Sequence, residues 1–528
     1  MIRHCSPTLH APSCWVLALL LLSASPSFGQ SDEARSLTAD VRSWREGHEI
    51  DILRQLVELV RIPNVASDRP NIERNAAHLE KEFRARGFET RTLRVKGVPE
   101  ANPAVFAQRL VPGAKRTVVF YSHYDGQPVT PERWLTDPWN PVLRKRSRGG
   151  DDSSYLELPE SGRLDPEWRL FGRGVSDDKA PIIAVLGAID ALAALEIEPS
   201  ISIKIFLEGE EEAGSDHLAE ILAEHRDLLA ADLWLFCDGP VHQSRRQQVV
   251  FGVRGVTGVD LTIYGPKVAL HSGHYGNWAP NPGARMAELL SSMRSSDGEI
   301  LVAGFTDPVV PLTQADRDAL AAAPKVDEQL RRDFGLAASE ADNALLGERI
   351  LQPALNFRGL TMARTGPGAK NAIPTEARAT LGFRLVPDVT PEHVRETVEA
   401  HLVSEGYQIV RDEPTDEERL SHPKLIRVEW SGGYRALRTP LEHPASVALL
   451  VVLDEASVEP VVRAPILGGS LPLATFEDVL GAPVIVLPTV NHDNAQHAPN
   501  ENLRLQNLWD AIETFAQVMV RLGGAWGA

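Results

Sequence analysis

The chain has 528 residues, of which 43% are hydrophobic and 24% are charged. These proportions are ordinary for a folded globular protein, which excludes a disordered chain and a multispan membrane protein, and the length predicts two or three domains. The formal net charge is −18 and no basic tract is present, which argues against a nucleic-acid partner and an anionic membrane surface.

The N-terminal residues have the pattern of a secretory signal. Arg3 and His4 precede an apolar run at residues 15–22, and small residues follow at the spacing of a cleavage site. The apolar run is shorter than the ~20 residues that a membrane-spanning helix needs, although an uncleaved anchor is the alternative. The sequence therefore predicts a signal peptide at residues 1–29 and an exported protein, periplasmic or secreted, that is free of the membrane after cleavage.

Cysteine usage agrees with this prediction without requiring it. Cys5 and Cys14 lie in the predicted signal, which leaves Cys237 alone in the remaining chain. An intramolecular disulfide is therefore not expected.

Helical and strand patterns alternate along the first half of the chain. Helices are predicted at residues 41–60, 72–86, 180–195 and 218–229, strands at 89–95, 104–109, 117–121, 200–207 and 233–236, and a polar loop at 130–169. Continuous apolar strands between helices indicate an α/β fold, a mixed sheet with helices on both faces.

The pattern changes after residue 252, where apolar residues alternate with glycines and indicate half-exposed antiparallel strands. Helices at 284–293, 317–334 and 391–405 and strands at 356–363 and 377–385 complete an α+β unit, after which 445–453, 484–487 and a helix at 508–522 resemble the first unit resumed. We therefore predict a first domain at 30–252 and 435–528, interrupted by a smaller inserted domain at 253–434.

Carboxylates and imidazoles follow the apolar strands. Ligands collect at the carboxyl ends of strands in such sheets, and two divalent ions that share a carboxylate can activate a water. The candidate ligands are His123, Asp177, Glu212, Asp238 and His497. Asp125 could hold the second ring nitrogen of His123, and Glu211 is free to act as a general base.

Each motif alone has a simpler interpretation. The run EGEEE could be a solvated acidic loop, and GRGVSDDK could be a phosphate loop, although it lacks the spacing of one. His242 or His492 could replace His497 as a ligand. The ordered combination favours the metal site.

In this order the motifs HYDGQP, GRGVSDDK, EGEEEAGS, FCDG and QHAPNEN resemble the M20 metallopeptidases, in particular the carnosinase and nonspecific dipeptidase branch. LHSGHYG and TGPGAKNAIP…GFRLVP extend the resemblance into the insertion. It implies a two-zinc catalytic domain and an inserted lid domain that mediates a homodimer.

The resemblance also implies roles for single residues. In the metal site, His123 and Asp238 would bind one ion, and Glu212 and His497 would bind the other. Asp177 would bridge the two ions, with Asp178 as its support. Glu211 would act as the base. In the lid, His271 would reach the partner's active site and polarise the scissile carbonyl, and Arg384 would bind the terminal carboxylate of the substrate. Asn371, Gly469 and Ser470 would contact the substrate.

One position departs from that branch. A charged pair typically precedes its GGS turn, whereas Ile466 and Leu467 stand here. Polar contacts near the expected end of the substrate are therefore lost, which bears on specificity more than on activity.

The predicted function is a metal-dependent exopeptidase that hydrolyses dipeptides or short peptides with a free C-terminal carboxylate. Its cofactors would be two divalent ions, Zn²⁺ first, with Mn²⁺ or Co²⁺ also compatible with the ligands. The alternatives are an N-acyl-amino-acid amidohydrolase and a noncatalytic binding protein of the same fold, and the presence of Glu211 argues against the second.

Overall fold

The computed structural model describes residues 30–145 and 155–527. The strands of this part of the chain are β1 (Glu89–Leu93), β2 (Ala104–Arg109), β3 (Thr117–His123), β4 (Val142–Arg144), β5 (Tyr155–Leu156), β6 (Arg169–Phe171), β7 (Ser202–Glu208), β8 (Leu233–Phe236), β9 (Gln248–Val250), β10 (Gly252–Val253), β11 (Gly255–Tyr264), β12 (Leu270–His271), β13 (Ala354–Thr361), β14 (Ala372–Ile373), β15 (Glu376–Leu385), β16 (Gln408–Val410), β17 (Leu425–Trp430), β18 (Leu437–Arg438), β19 (Val462–Ala464), β20 (Val484–Val486) and β21 (Asn502–Arg504).

The helices of the same residues are α1 (Asp32–Val60), α2 (Arg69–Ala85), α3 (Lys179–Ala194), α4 (Leu218–Glu224), α5 (Arg226–Leu229), α6 (Ser272–Tyr275), α7 (Pro282–Met293), α8 (Gln314–Ala322), α9 (Asp327–Asp333), α10 (Glu340–Asn343), α11 (Leu346–Ile350), α12 (Pro391–Ser404), α13 (Asp416–Ser421), α14 (Pro444–Ala456), α15 (Ala474–Leu480) and α16 (Leu505–Ala525). Among the residues described, no helix is both long and apolar enough to span a membrane.

The largest sheet has eight strands in the order β1-β2-β7-β3-β8-β20-β9-β19. Its central strands β7, β3, β8 and β20 run parallel. Strand β2 is antiparallel to β1 and β7, and β9 is antiparallel to β20 but parallel to β19. Parallel strands that are buried on both faces consist of continuous apolar runs, which is the pattern of β3, β7 and β8. The carboxyl ends of these strands therefore meet at one edge of the sheet.

Helices cover both faces of this sheet, as predicted. Side chains alternate between the faces along each strand, so that Val118 and Phe120 of β3 join a core with α1, α2, α3, α14 and α16. Val119 and Tyr121 join a second core, to which α4, α5 and α15 contribute. Because α14 and α16 come from the C-terminal part of the chain, both ends of the sequence build this layer.

A second sheet has five strands in the order β13-β15-β11-β17-β16. Its strands are antiparallel except for β16, which runs parallel to β17. Helices α7 and α12 supply Met286, Leu289, Val394 and Val398 to a separate core with one face of this sheet. This is the α+β unit that the alternating pattern after residue 252 predicts.

Three local predictions were wrong. The helix expected at 317–334 is divided into α8 and α9, because Pro324 disfavours a helical conformation in the preceding residue, and Ala323 is accordingly extended. The helix expected at 218–229 is interrupted at His225. The loop expected at 130–169 contains β4 and β5, which join β6 and β21 in a four-stranded sheet. The predicted signal, residues 1–29, lies outside the described residues.

Candidate metal centre

The segments at the ends of β3, β7 and β8 bring acidic and imidazole groups to the carboxyl edge of the central strands. His123 is the last residue of β3, and Asp238 follows β8 by two residues. Glu211 and Glu212 begin a single 3-10 turn after β7. The alternative of a solvated acidic loop is wrong for this run, since the Glu212 side chain is only 3% exposed.

Asp177 lies between two imidazoles. Its Oδ1 atom is 3.0 Å from Nε2 of His123, and its Oδ2 atom is 3.1 Å from Nε2 of His497. On one side, Oδ2 of Asp238 is 4.0 Å from Nε2 of His123, and on the other, Oε2 of Glu212 is 3.2 Å from Nε2 of His497. The structure thus brings the five predicted ligands together around one shared carboxylate.

Two groups of side chains have the spacing of cation ligands. One comprises Asp177, Glu212 and His497, and the other His123, Asp178 and Asp238, with ligand atoms within 4.8 Å of one another in each group. Asp178, predicted only as a support for Asp177, is thus itself placed among possible ligands. It also accepts a hydrogen bond from the backbone N–H of His123.

The two alternative histidines stand apart from these groups. Nδ1 of His242 is 2.9 Å from Oγ of Ser244, and His492 is exposed. Neither belongs to a potential ligand group among residues 30–145 and 155–527.

The carboxylates of the cluster repel one another. Burial, and after it the charge of Asp177, raise the pKa of Glu212 to about 7 and that of Asp238 to about 6. Burial also acts to raise the pKa of Asp177, but hydrogen bonds from the imidazoles of His123 and His497 outweigh it and lower that pKa. A divalent cation would offset this crowding of negative charge.

The donor set fits such cations. Oε1 of Glu212 and Oδ1 of Asp178 are buried and have no hydrogen-bond partner, which is costly for carboxylate oxygens unless a cation or water satisfies them. Imidazole nitrogens and carboxylate oxygens together suit zinc, manganese and cobalt. The residues present therefore match a dinuclear site.

Asp125 holds the turn that carries Glu211. Its two carboxylate oxygens accept the backbone N–H groups of Glu211 and Glu212 at 3.1 and 3.0 Å. The ring of His123, which the sequence predicted as its partner, has Nδ1 at 3.2 Å from the backbone carbonyl of Asp125 and at 3.4 Å from its Oδ1 atom. Asp125 thus fixes the adjacent glutamates as well as the imidazole.

Glu211 is placed to exchange protons beside the cluster. Its Oε2 atom is 3.8 Å from Nε2 of His123. Burial raises the pKa of its carboxyl well above the ordinary value, and although His123 opposes this, the charges of Asp238 and Glu212 add to it. A carboxyl with a raised pKa can both accept and return a proton near neutral pH.

Sequence analysis missed Glu501, which orders the turn before α3. This fully buried carboxylate accepts hydrogen bonds from the backbone N–H groups of Gly174, Ser176 and Asp177, each at 2.9 Å. It also pairs with the guanidinium of Arg173 at 2.8 Å. Its position, four residues after His497 and inside the same motif, was the one available signal.

The substrate residues predicted in the insertion fall in two places. Nη1 of Arg384, on β15, donates to Oγ of Ser470 at 2.6 Å, and the carbonyl of Gly469 accepts from the backbone N–H of Arg254 at 3.1 Å. His271, at the end of β12, and Asn371, just before β14, are both exposed, and β12 pairs with β14. No hydrogen bond or ion pair joins His271 to the ligand groups among the residues described.

A mixed sheet with helices on both faces and two ligand groups about one shared carboxylate define a hydrolase of the dinuclear metal class. The comparison with family models is specific: the chain belongs to peptidase family M20/M25/M40, whose sequence model matches residues 119–521.

Individual relatives agree with this. The chain is 28% identical over 500 residues to a Cys-Gly metallodipeptidase, DUG1, of Candida albicans, covering 90% of this chain and 95% of that protein. It is 27% identical over 430 residues to the human Beta-Ala-His dipeptidase, covering 80% and 77%. A solved M20 family metallo-carboxypeptidase from Sulfolobus solfataricus superposes with a TM-score of 0.70 at 25% identity, covering 89% of this chain and 99% of that one.

The comparisons also correct one prediction. Export to the periplasm or the medium was wrong, since the yeast Cys-Gly metallodipeptidases that the chain matches over most of their length are cytosolic enzymes. The pattern that suggested export was a short apolar run with small residues after it, and such a run is not specific to signal peptides.

Proposed function

We propose that the protein is a dipeptidase that cleaves the amide bond of a substrate with a free C-terminal carboxylate. The observation that carries this proposal is the arrangement of two ligand groups about Asp177 with the carboxyl of Glu211 beside them. The dipeptidase names of the relatives support a peptide substrate over an N-acyl amino acid.

In the proposed site, His123 and Asp238 would hold one divalent ion and Glu212 and His497 would hold the other, and Asp177 would be shared by the two halves. Zinc is the proposed metal, since these ligands suit it. When bound, such ions lower the pKa of a water and polarise a carbonyl.

The protein's own groups carry the proton. Glu211 accepts a proton from the attacking water at a carboxylate oxygen and returns it to the leaving amine. Asp125 keeps Glu211 in place, because its carboxylate receives the N–H groups of the turn.

Arg384 and Ser470 are proposed to bind the terminal carboxylate of the substrate. Among the described residues no carboxylate pairs with Arg384, whose one direct side-chain partner is the Ser470 hydroxyl. A guanidinium in that state can receive a carboxylate through two parallel hydrogen bonds. Asn371 and Gly469 are proposed as further substrate contacts.

We also propose that residues 30–252 and 435–528 form the catalytic domain and that residues 253–434 form a lid. The separate core of the five-stranded sheet supports this division. The exposure of His271 supports a homodimer in which this side chain enters the partner's active site.

Hydrolysis of a matched pair of substrates tests the proposal. The purified chain is stripped with a chelator, reloaded with zinc, manganese or cobalt, and assayed with L-Ala-L-Leu and N-acetyl-L-Leu. We expect metal-dependent cleavage of the dipeptide that the chelator abolishes. Cleavage of N-acetyl-L-Leu alone would assign the amidohydrolase function instead, and no cleavage of either by metal-loaded protein would exclude both.

A further inference from the structure

A cleft of about 630 Å³, lined by both apolar and charged side chains, lies between the segment α8 to α11 and the strands β9 and β19, of which β19 is the edge of the sheet. Its apolar lining comes from both sides, with Leu330, Leu346 and Ile350 from the helical segment and Val241, Ile466 and Leu467 from the sheet side. A cavity of this size and character is typical of a small-molecule site. The proposed mechanism makes no use of it.

Two residues of the cleft lining are close in the chain to residues of the proposed active site. Pro240 follows the candidate ligand Asp238 by two residues, and Gly468 precedes Ser470 by two. Consecutive α-carbons are about 3.8 Å apart, so each of these lining residues has its α-carbon within about 8 Å of that of its functional neighbour. One part of the cleft therefore lies near the metal centre and another near the carboxylate anchor.

The helical wall is joined to that anchor. A Cβ built on Gly468 would lie 3.2 Å from Cδ1 of Ile350, which places Ile350 against the turn that leads to Ser470. Nη2 of the buried Arg254 donates to the carbonyl of Gln352, just after α11, while its backbone N–H donates to Gly469. Ile350 thus lies over the end of the cleft that is nearest to Arg384.

The side chains before the turn are also apolar. Ile466 is 5% exposed and Leu467 is partly buried, and these are the positions where the resemblance leads one to expect charges. The lining also includes charged residues such as Lys325, Asp333 and Arg463, but the side chains just before Gly468 and the one in contact with it, Ile350, are apolar. This end of the cleft therefore favours contact with an apolar group.

We infer that the cleft receives the side chain of the C-terminal residue of the substrate, and that the preferred substrates are dipeptides whose second residue is large and apolar, such as leucine or phenylalanine. The inference rests on the proposed function, in which Arg384 and Ser470 hold the carboxylate of that same residue. In a C-terminal residue, the side chain and the carboxylate are attached to the same α-carbon. When Arg384 and Ser470 hold the carboxylate, the side chain therefore lies next to Gly468 and Ile350.

The test compares kcat/KM for L-Ala-L-Phe, L-Ala-L-Leu, L-Ala-Gly and L-Ala-L-Asp with the zinc-loaded protein. We expect the first two to exceed the glycine and aspartate substrates by at least about tenfold, the scale on which an apolar pocket discriminates. Ile350→Gln and Leu346→Gln should each reduce this preference severalfold while cleavage of L-Ala-Gly changes by less than about twofold. Leu420→Gln, at a side chain that is 90% exposed and remote from the cleft lining, is the matched control.

Calorimetric binding of free L-phenylalanine and glycine separates this inference from the proposed function, since it requires no turnover. Tighter binding of phenylalanine that Ile350→Gln weakens supports the cleft even if no dipeptide is cleaved. Equal cleavage of L-Ala-Gly and L-Ala-L-Phe overturns the inference and leaves the dipeptidase function standing. A preference that both cleft variants leave unchanged, with their thermal unfolding intact, also overturns it.

Discussion

Asp177 links the two halves of the candidate metal centre, because it contacts the imidazoles of His123 and His497. In the proposed site the other acidic groups have separate tasks. Glu212 and Asp238 would each complete one half, whereas Glu211 would stay free to move a proton. Two adjacent glutamates with different roles are possible because the turn after β7 directs their side chains differently.

Replacing Glu211 by Gln removes the proposed base and leaves the ligand groups intact. We expect kcat to fall by about 10²- to 10⁴-fold, the usual contribution of a positioned acid or base. Metal content, measured by atomic absorption, should match that of the unchanged protein. Glu220→Gln, at an exposed position on α4, is the control, and near-normal turnover in the Glu211 variant would refute its assigned role.

The raised pKa values of Glu212, about 7, and Asp238, about 6, predict how pH affects the metal-free protein. An ordinary carboxyl group has a pKa of about 4. Because the pKa values of Glu212 and Asp238 are higher than this in the folded state, the folded state binds their protons more tightly than the unfolded state does. Raising the pH from about 5 to about 7.5 removes them and lowers the free energy of unfolding. We expect a lower Tm of metal-free protein at the higher pH.

Bound cations offset the same repulsion, so added zinc should raise Tm more at about pH 7.5 than at about pH 5. Calorimetry of the metal-free and zinc-loaded protein measures both differences. In Glu212→Gln combined with Asp238→Asn, the pH dependence of the metal-free Tm should become shallower. An unchanged slope in that variant would contradict this origin of the effect.

At the scale of elements, the turn before α3 is held by Glu501, the residue that immediately precedes β21. Its carboxylate accepts hydrogen bonds from three backbone N–H groups of the turn that presents Asp177. The position of the shared carboxylate is thus set by a residue that is more than three hundred positions away in sequence. Arg173, only 2% exposed, depends on the same carboxylate for its charge partner.

Glu501→Gln leaves the buried guanidinium of Arg173 without a counter-charge. Breaking a buried pair in this way costs about 3–5 kcal/mol, and loosening the turn should weaken zinc binding about 10- to 100-fold. Denaturant unfolding and metal titration measure the two losses. Glu459→Gln, whose side chain is 66% exposed in its pair with Arg246, should show neither, and full zinc affinity in the Glu501 variant would refute the positioning role.

Local patterns were sufficient to predict α3, β7 and β8, because these buried elements are continuous apolar runs. The clustering of the candidate ligands was also predictable, since each follows such a strand or lies in an ordered motif; their role as ligands stays a prediction. The contacts of Glu501 and the turn-holding role of Asp125 were not, because they arise only when separate segments come together in the fold. In α8 and α9 a local signal was overlooked, as Pro324 ends the helical pattern.

For the whole molecule, the proposed dimer should form through the lid around His271. Near it are the exposed aromatic residues Tyr275 and Trp278, and Trp278 is 80% exposed. Exposed aromatic groups of this size mark interaction surfaces. Trp278 is therefore the side chain whose replacement should weaken the dimer most directly.

Trp278→Glu should convert the protein from two chains to one, as measured by light scattering after size-exclusion chromatography. Because His271 would then lack a partner site to enter, kcat should fall with the dimer, by about 10²-fold if one electrostatic contact to the reacting carbonyl is lost. Leu420→Glu, at another exposed apolar side chain, is the control. A monomeric variant with full activity would remove His271 from the mechanism.

The union of both ends of the sequence in one layer has a consequence for the time at which activity begins. During synthesis His123, Asp177, Glu211 and Asp238 leave the ribosome long before His497, Glu501 and α16, which packs against α1 through Glu513 and Arg42. A nascent chain therefore carries an unfinished cluster of acidic groups until its final segment emerges. If the proposed site requires His497, every incomplete copy would lack hydrolytic activity without any separate inhibitor.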